Sequence, residues 1–202
     1  MVKKPEVTVV MGVYNDAQHL RESIESILSQ QGVDFEFVII NDGSTDGSFE
    51  ILEEYAARDT RVRVFHQENQ GLTRALIRGC AEARGEFIAR QDADDVSLPG
   101  RLAAQLKRAC APDRPVMIGV GCGCCTDEGD LLYETLPPHD PEEAVRVILE
   151  EGRGICCHGA LLYRRDVYLA AGGYREPFYF AQDIDLVLRL ASRGIVVGIP
   201  AR

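Results

Sequence analysis

The chain has no basic run. Its 22 Lys and Arg are outnumbered by 32 Asp and Glu, for a formal charge of -10, and without clustered cations nothing in it tracks a phosphate backbone. Nucleic acid is therefore not an expected partner. Long apolar stretches are also missing: the longest are of strand length, too short to span a bilayer. The N-terminus, Met1-Val2-Lys3-Lys4-Pro5-Glu6, passes into a strand pattern without a signal-peptide core. These absences read as a soluble, cytoplasmic protein. Internal repeats and low-complexity tracts are lacking too. The 7 cysteines are an odd count without an export signal, which argues against a disulfide framework. Cys122-Gly123-Cys124-Cys125 and Cys156-Cys157-His158 imitate a zinc site without the paired hairpin spacing of ribbons and fingers, so all seven are read as buried, reduced thiols. Finally, there is no Walker lysine and no Gly-x-Gly-x-x-Gly after the first strand pattern. The P-loop NTPase and dinucleotide dehydrogenase readings lose their main support.

What is present is a chain of 202 residues, 46% hydrophobic, enough for one substantial core and with no composition shift that would divide it. Val7-Thr8-Val9-Val10-Met11 is a β-branched run suited to a strand buried on both faces. Leu20, Ile24, Ile27 and Leu28 follow at helical spacing until Gly32. Phe35 to Ile40 predicts a second strand, Ile51, Leu52 and Tyr55 a second helix, Val62 to Phe65 a third strand, and Gly71 to Ala83 a third helix. This alternation predicts an α/β fold with a mainly parallel sheet, whose ligands bind beyond the carboxyl ends of the strands. The second half changes character. A helix from Pro99, a strand at Val116 to Val120, a hairpin turn at Asp127-Glu128-Gly129 and a strand at Gly159 to Tyr163 predict a mixed sheet edge. A helix carrying Val145, Ile148 and Leu149 lies between. The last helix, from about Asp183 to Arg193, is expected to bury Ile184, Val187, Leu188 and Ala191, with Asp183 and Asp185 in its first turn.

The organising stretch is Phe87-Ile88-Ala89-Arg90-Gln91-Asp92-Ala93-Asp94-Asp95. A short buried strand runs into a crowd of carboxylates, which repel one another unless a cation or hydrogen-bond donors compensate. Mg²⁺ or Mn²⁺ suits such a place, because it takes one or two protein carboxylates and fills its other positions with water and phosphates. The alternative is a solvated acidic turn. That alternative weakens because Asn15, Asp42 and Asp92 all lie at ends of predicted parallel strands. Asp42 to Glu53 also fits a relaxed calcium loop, but an EF-hand loop follows a helix and this one follows a strand.

Taken together, Val13-Tyr14-Asn15, Asn41-Asp42-Gly43-Ser44-Thr45-Asp46, Ala83 to Ala89, Asp92-Ala93-Asp94-Asp95, Pro99-Gly100-Arg101-Leu102, Gly172-Gly173-Tyr174 and Gln182-Asp183-Ile184-Asp185-Leu186 resemble family 2 glycosyltransferases of the GT-A fold. The resemblance runs over essentially the whole chain, 1–202, with a nucleotide-sugar-binding half at 1–98 and an acceptor-side half at 99–202. It implies an inverting enzyme that moves a sugar from a nucleotide diphosphate donor, UDP- or dTDP-linked, to a hydroxyl of a saccharide or lipid-linked acceptor. It implies Asp42 on the base, Asp92 on the ribose, Val13 and Tyr14 beside the nucleotide, Asp94 on Mn²⁺ or Mg²⁺, and Asp183 as catalytic base. Many members carry Glu-Asp where this chain has Gln182-Asp183. Relatives often continue into acceptor-binding or membrane-associated segments, so a C-terminal portion and peripheral contact with the inner membrane face are within the expectation. The rival readings are a nucleotidyltransferase, which lacks its glycine-rich phosphate loop here, and a nucleotide-sugar binder without turnover. Phe178, Tyr179 and Phe180 are candidates for stacking on a sugar ring, and His158 for lining the acceptor side.

Overall fold

Strand β1, Val7–Val13, carries β-branched residues on both faces, and its burial is almost unbroken. It pairs in parallel with β2, Phe35–Asn41, Val7 lying opposite Phe35. On its other side it pairs in parallel with β4, Phe87–Arg90. The computed structural model that defines this architecture describes residues 4–126 and 128–200. Strand β3, Val62–His66, completes the parallel part beside β2. Beyond β4 lies β8, Leu161–Arg164, antiparallel to it and to β5, Met117–Val120. Strand β9, Val196–Ile199, closes the row parallel to β5. The order across the seven strands is β3-β2-β1-β4-β8-β5-β9. The expected mainly parallel, mixed sheet is what the chain forms.

Helices cover both faces, which is why the central strands are apolar throughout rather than alternating. One face holds α1 (Leu20–Leu28), α2 (Ser48–Arg58) and α4 (Arg101–Ala109), through Ile24, Leu52 and Leu102 packed on Val9, Met11 and Phe37. The opposite face holds α3 (Leu72–Glu82), α5 (Pro141–Glu150), α6 (Arg165–Ala170) and α7 (Gln182–Ala191), through Leu76, Val147, Tyr168 and Leu190 packed around Val10, Ile88 and Tyr163. Helix α5 starts cleanly because Asp140 accepts from the Glu142 and Glu143 N–H groups and Pro141 opens the first turn.

Four details depart from the sequence reading. Helix α5 buries Ala144, Val147 and Ile148, while Leu149 is exposed. Ala144, Val147 and Ile148 together join the core that includes residues of β9 and α7. In α7 the buried set is Leu186, Val187, Leu190 and Ala191 together with Gln182 and Asp185, and Ile184 and Leu188 are only half-buried. Asp185 can face inward because Arg175 and Arg189 both pair with it. Strands β6, Cys122–Cys125, and β7, Leu131–Thr135, pair only with each other. They stand off the main sheet because β8 and β9 already occupy both sides of β5. The turn joining them includes Asp127, which lies outside the described residues; at its Gly129 φ is +88° and the N–H donates to the Thr126 carbonyl at 2.9 Å. Lastly, only Cys80 among the cysteines is fully buried, and Cys110 and Cys125 are exposed. The β6–β7 hairpin has no second layer to bury its thiols. All seven are free.

No helix among the described residues is long and apolar enough to cross a membrane.

Candidate active site

At the carboxyl end of β4 the chain turns through Gln91 and Asp92 into the acidic loop, and the residues holding this turn are buried. Arg90, wholly inaccessible, donates through Nη1 to the carbonyls of Val10 (2.8 Å) and Gln91 (2.9 Å), and through Nη2 to Asp92 Oδ1. Burial opposes ionisation of Asp92, but Arg90 beside it and Arg101 further off prevail and hold its carboxyl below the usual range. Gln91, also inaccessible, donates to the Asp95 carbonyl at 2.7 Å and accepts from Ser97 Oγ and Arg101 Nη1, both at 2.7 Å. Ser23 Oγ donates to the Asp92 carbonyl at 3.0 Å. Arg101 Nη2 adds bonds to the Arg90 carbonyl (2.6 Å) and the Gly159 carbonyl (2.7 Å). A guanidinium so enclosed loses hydration, and burial brings its pKa down to about 10.

Gly159 sits in a 3-10 turn, His158–Ala160, that leads into β8. Because β8 runs opposite to β4, this turn reaches the same sheet edge as the acidic loop. A Cβ at Gly159 would overlap Asp95 Oδ2 and come within 2.9 Å of Asp92 Oδ2, so the two carboxyls close over a place where only glycine fits. Burial, then the charges of Asp92 and Asp94, push the Asp95 carboxyl up to about 6. His158 Nε2 lies 2.6 Å from Tyr174 Oη, and burial followed by the neighbouring Arg90 brings the imidazole down to about 3, leaving it neutral at ordinary pH. Asp94 is exposed and has no hydrogen bond or ion pair within the described protein.

The loops after β1 and β2 interlock. Asn15, at φ +52°, accepts through Oδ1 from the Thr45 N–H at 2.7 Å, and its own N–H reaches Ser44 Oγ at 3.1 Å. Asp46 Oδ1 accepts from the Ser48 N–H and its Oδ2 from the Ala17 N–H. Asp42 is buried: Oδ1 accepts from Gln67 Nε2 (2.6 Å) and the Gln70 N–H (2.9 Å), Oδ2 from the Gly71 N–H (2.8 Å). A carboxylate has about four acceptor positions, so one remains on Oδ2. Val13 is 1% exposed and its carbonyl accepts from the Asp42 N–H at 2.8 Å; it holds Asp42 in place and offers the pocket no side chain. Tyr14, next to it, is 54% exposed.

Asp183 lies in the first turn of α7, half-buried and without a hydrogen bond or ion pair within the described protein. The residue preceding the helix, Ala181, takes the left-handed conformation at φ +57°, which costs a non-glycine residue roughly 1–2 kcal/mol. The segment before it is tied to the N-terminus of α3, where Thr73 Oγ1 donates to the Phe178 carbonyl at 2.8 Å and the Tyr179 ring lies against Gly71. Asp42, Asp92, Asp94, Tyr14 and Asp183 therefore share one edge of the sheet.

Arg90, Gln91, Arg101 and Gly159 hold this edge together, and the sequence pattern alone points to none of these roles. A charged residue directly after the apolar Phe87-Ile88-Ala89 was the available signal for Arg90. For Gly159 nothing in the sequence gave one.

Among the described residues no three or more His, Cys, Asp or Glu side chains form a metal cage. The donor set on offer is an exposed Asp94, unpaired within the described protein, between Asp92 and Asp95, with Asp95 held above the usual carboxylate range by burial and then by its charged neighbours. That fits a hard divalent ion which takes most ligands from substrate phosphates and water.

The family model Glycosyl transferase family 2 matches residues 8–170. EpsE of Bacillus subtilis strain 168, which carries the glycosyltransferase name, is 36% identical over 194 residues, covering 94% of this chain and 68% of its own. The O-antigen biosynthesis glycosyltransferase WbnJ of Escherichia coli is 33% identical over 189 residues, covering 92% of this chain and 72% of its own. Among solved structures, a mannosyltransferase from Pyrobaculum calidifontis in complex with GDP-Man and Mn²⁺ superposes with TM-score 0.72 at 21% identity, over 98% of this chain and 56% of that one. TarS 1-349 of S. aureus in complex with UDP-GlcNAc superposes with TM-score 0.75 at 18% identity, over 98% of this chain and 59% of that one. The chain thus spans a little over half the length of these solved neighbours.

Proposed function

Because the chain belongs to glycosyltransferase family 2 and has the GT-A fold, we propose that it moves a sugar from a nucleotide diphosphate donor to an acceptor hydroxyl by direct displacement, with inversion at the anomeric carbon. The observation that carries this reading is the contrast along one sheet edge. Asp42 and Asp92 on the donor side are fixed by amides and a buried cation, while Asp183, at the start of α7 on the same edge, has no hydrogen bond or ion pair within the described protein.

In this reading Asp42 accepts the imino N–H of a pyrimidine at its remaining Oδ2 position, Tyr14 covers the base, and Asp92 accepts from the ribose hydroxyls. The donor is expected to be a UDP- or dTDP-sugar. Asp94 would hold Mn²⁺ or Mg²⁺, which when bound neutralises charge growing on the leaving diphosphate. Asp183 accepts the proton of the acceptor hydroxyl as that oxygen bonds to the anomeric carbon. An aspartate is a weak base, but the hydroxyl becomes acidic as its oxygen gives up electron density. The acceptor is expected to be a saccharide or a lipid-linked saccharide in cell-surface polysaccharide synthesis, a reading that the name of the relative WbnJ supports. A cytoplasmic site, at or near the inner membrane face, is part of the same reading.

The test is nucleotide release from UDP-, dTDP- and GDP-sugars with Mn²⁺, with and without an acceptor panel, and NMR of the product's anomeric configuration. Inverted product and loss of metal-dependent UDP binding in Asp94→Asn are expected. Retained configuration, or undiminished UDP affinity in EDTA, would contradict the mechanism, and donor binding without turnover on any acceptor would reduce the protein to a binder.

A further inference from the structure

Two aromatic rings stand exposed just before α7. Tyr179 and Phe180 are 63% and 81% accessible, with centroids 4.9 Å apart and planes at 85°. The corner they form is fixed from behind. The preceding Phe178 carbonyl is held by Thr73, and its ring lies 4.7 Å beneath the Arg175 guanidinium. A Cβ at Gly71 would come within 2.7 Å of Tyr179 Cε2, so Tyr179 is seated against glycine backbone while most of its surface faces solvent. Large rings left in water are unfavourable in proportion to their apolar area, and a contiguous exposed apolar surface on a rigid support marks a binding surface.

We propose that Tyr179 and Phe180 form an acceptor subsite that stacks on the C–H face of a neutral saccharide ring and brings one of its hydroxyls to Asp183. The proposal rests on the transferase reading. Three observations select this ligand. First, Phe180 is separated from Asp183 only by Ala181 and Gln182, and the left-handed turn at Ala181 fixes the junction between rings and helix. Second, the rings are perpendicular, which suits a pyranose with one apolar face and a rim of hydroxyls better than a flat base, which needs parallel walls and polar partners at its edge. Asp42, which accepts from the N–H of the Gly71 that Tyr179 lies against, has three of its acceptor positions occupied by the chain itself. Third, the charged neighbours Arg74 and Glu176 pair with each other at 3.2 Å, so neither member of that pair is left free to attract an ionic acceptor.

The probes are methyl β-D-glucopyranoside, methyl β-D-galactopyranoside and methyl α-D-mannopyranoside, observed by saturation-transfer NMR on the whole chain with UDP and Mn²⁺ present. At least one should show saturation at its ring C–H protons. Phe180→Ala should weaken that glycoside at least about fivefold, Phe180→Tyr should preserve it, and Phe180→Leu, apolar but without a flat face, should resemble Phe180→Ala. UDP affinity by calorimetry should be the same in all four proteins. Glycoside signals that ignore the substitutions, or no glycoside bound by the wild type, would overturn the subsite while intact nucleotide binding leaves the transferase reading standing. Loss of UDP affinity in Phe180→Ala would also overturn it, since the corner would then serve the nucleotide. If the wild type binds neither UDP, dTDP nor GDP, both readings fall.

Discussion

On the donor side Asp42 and Asp92 are held from behind, Asp42 by Gln67 and two backbone N–H groups, Asp92 by a wholly buried arginine. On the α7 side Asp183 has no hydrogen bond or ion pair within the described protein, and the rings before it stand in solvent. The difference follows from what each group is asked to do. A carboxylate that only orients a ligand gains from fixed donors, because they keep it ionised and hold its direction. The same donors would make a proton acceptor weaker, since hydrogen bonds to the charged form lower its pKa. A free Asp183 and a constrained Asp92 are thus consistent with one acting as base and the other as a binding group.

The largest expected effect lies in the buried arginine. Arg90→Met leaves Asp92 without its partner and should destabilise the fold by about 3–5 kcal/mol in denaturant titration. In the second half, Arg175→Met should cost far less, because Arg175 is exposed to solvent and Asp185 keeps Arg189. Equal losses would break the contrast between the halves.

Next is Gly159→Ala. Its Cβ must displace Asp95 or Asp92, and overpacking of this kind typically costs about 1–3 kcal/mol. Weakened UDP binding should accompany the loss of stability. A variant as stable as the parent, with unchanged UDP affinity, would mean that the two carboxyls do not close over this turn.

His158 sharpens the comparison through pH. Burial and then Arg90 depress its folded pKa from the ordinary histidine value of about 6.5 to about 3, against the pull of Asp92. A histidine held neutral in the fold contributes stability that is present above its unfolded pKa. That stability is lost as pH falls from about 6.5 toward 3. The wild-type melting temperature should therefore drop over this window more than that of His158→Asn. Because the residue is only half-buried, a difference on the order of 2–4 °C is expected. Parallel pH profiles would remove His158 from the buried network.

The smallest effect concerns the strained residue before α7. Ala181→Gly relieves roughly 1–2 kcal/mol of left-handed strain and adds about 0.5–1 kcal/mol of unfolded-state entropy. The net gain should be about 0.5 kcal/mol by chemical unfolding. A clear loss of stability would show that Ala181 is held by its side chain and not merely tolerated.

The first half was legible because each signal there is local. Val7 to Met11 reads as a strand buried on both faces and is one, Phe35 to Ile40 reads as the next strand and is buried throughout, and the acidic loop announces itself after Phe87-Ile88-Ala89. The second half depends on distant partners. Asp185 looks like a solvent-facing residue of a first turn, and only its pairing with Arg175, from the segment after Gly172-Gly173, and with Arg189 one helical turn on makes it an inward one. The β6–β7 hairpin reads as a sheet edge, and what displaces it is β9, which arrives last in the chain. Arg101 was visible within Pro99-Gly100-Arg101-Leu102, but its bonds to the carbonyls of Arg90 and Gly159 join segments that no sequence window contains together.

The central claim, that Asp183 accepts the acceptor proton while the donor carboxylates only bind, is tested most directly by Asp183→Asn. Asparagine preserves size and hydrogen-bonding capacity at the helix start but cannot take the proton. UDP affinity and thermal stability should match the wild type while the rate of sugar transfer falls by a factor on the order of 100 or more. Transfer at the parental rate would contradict the account.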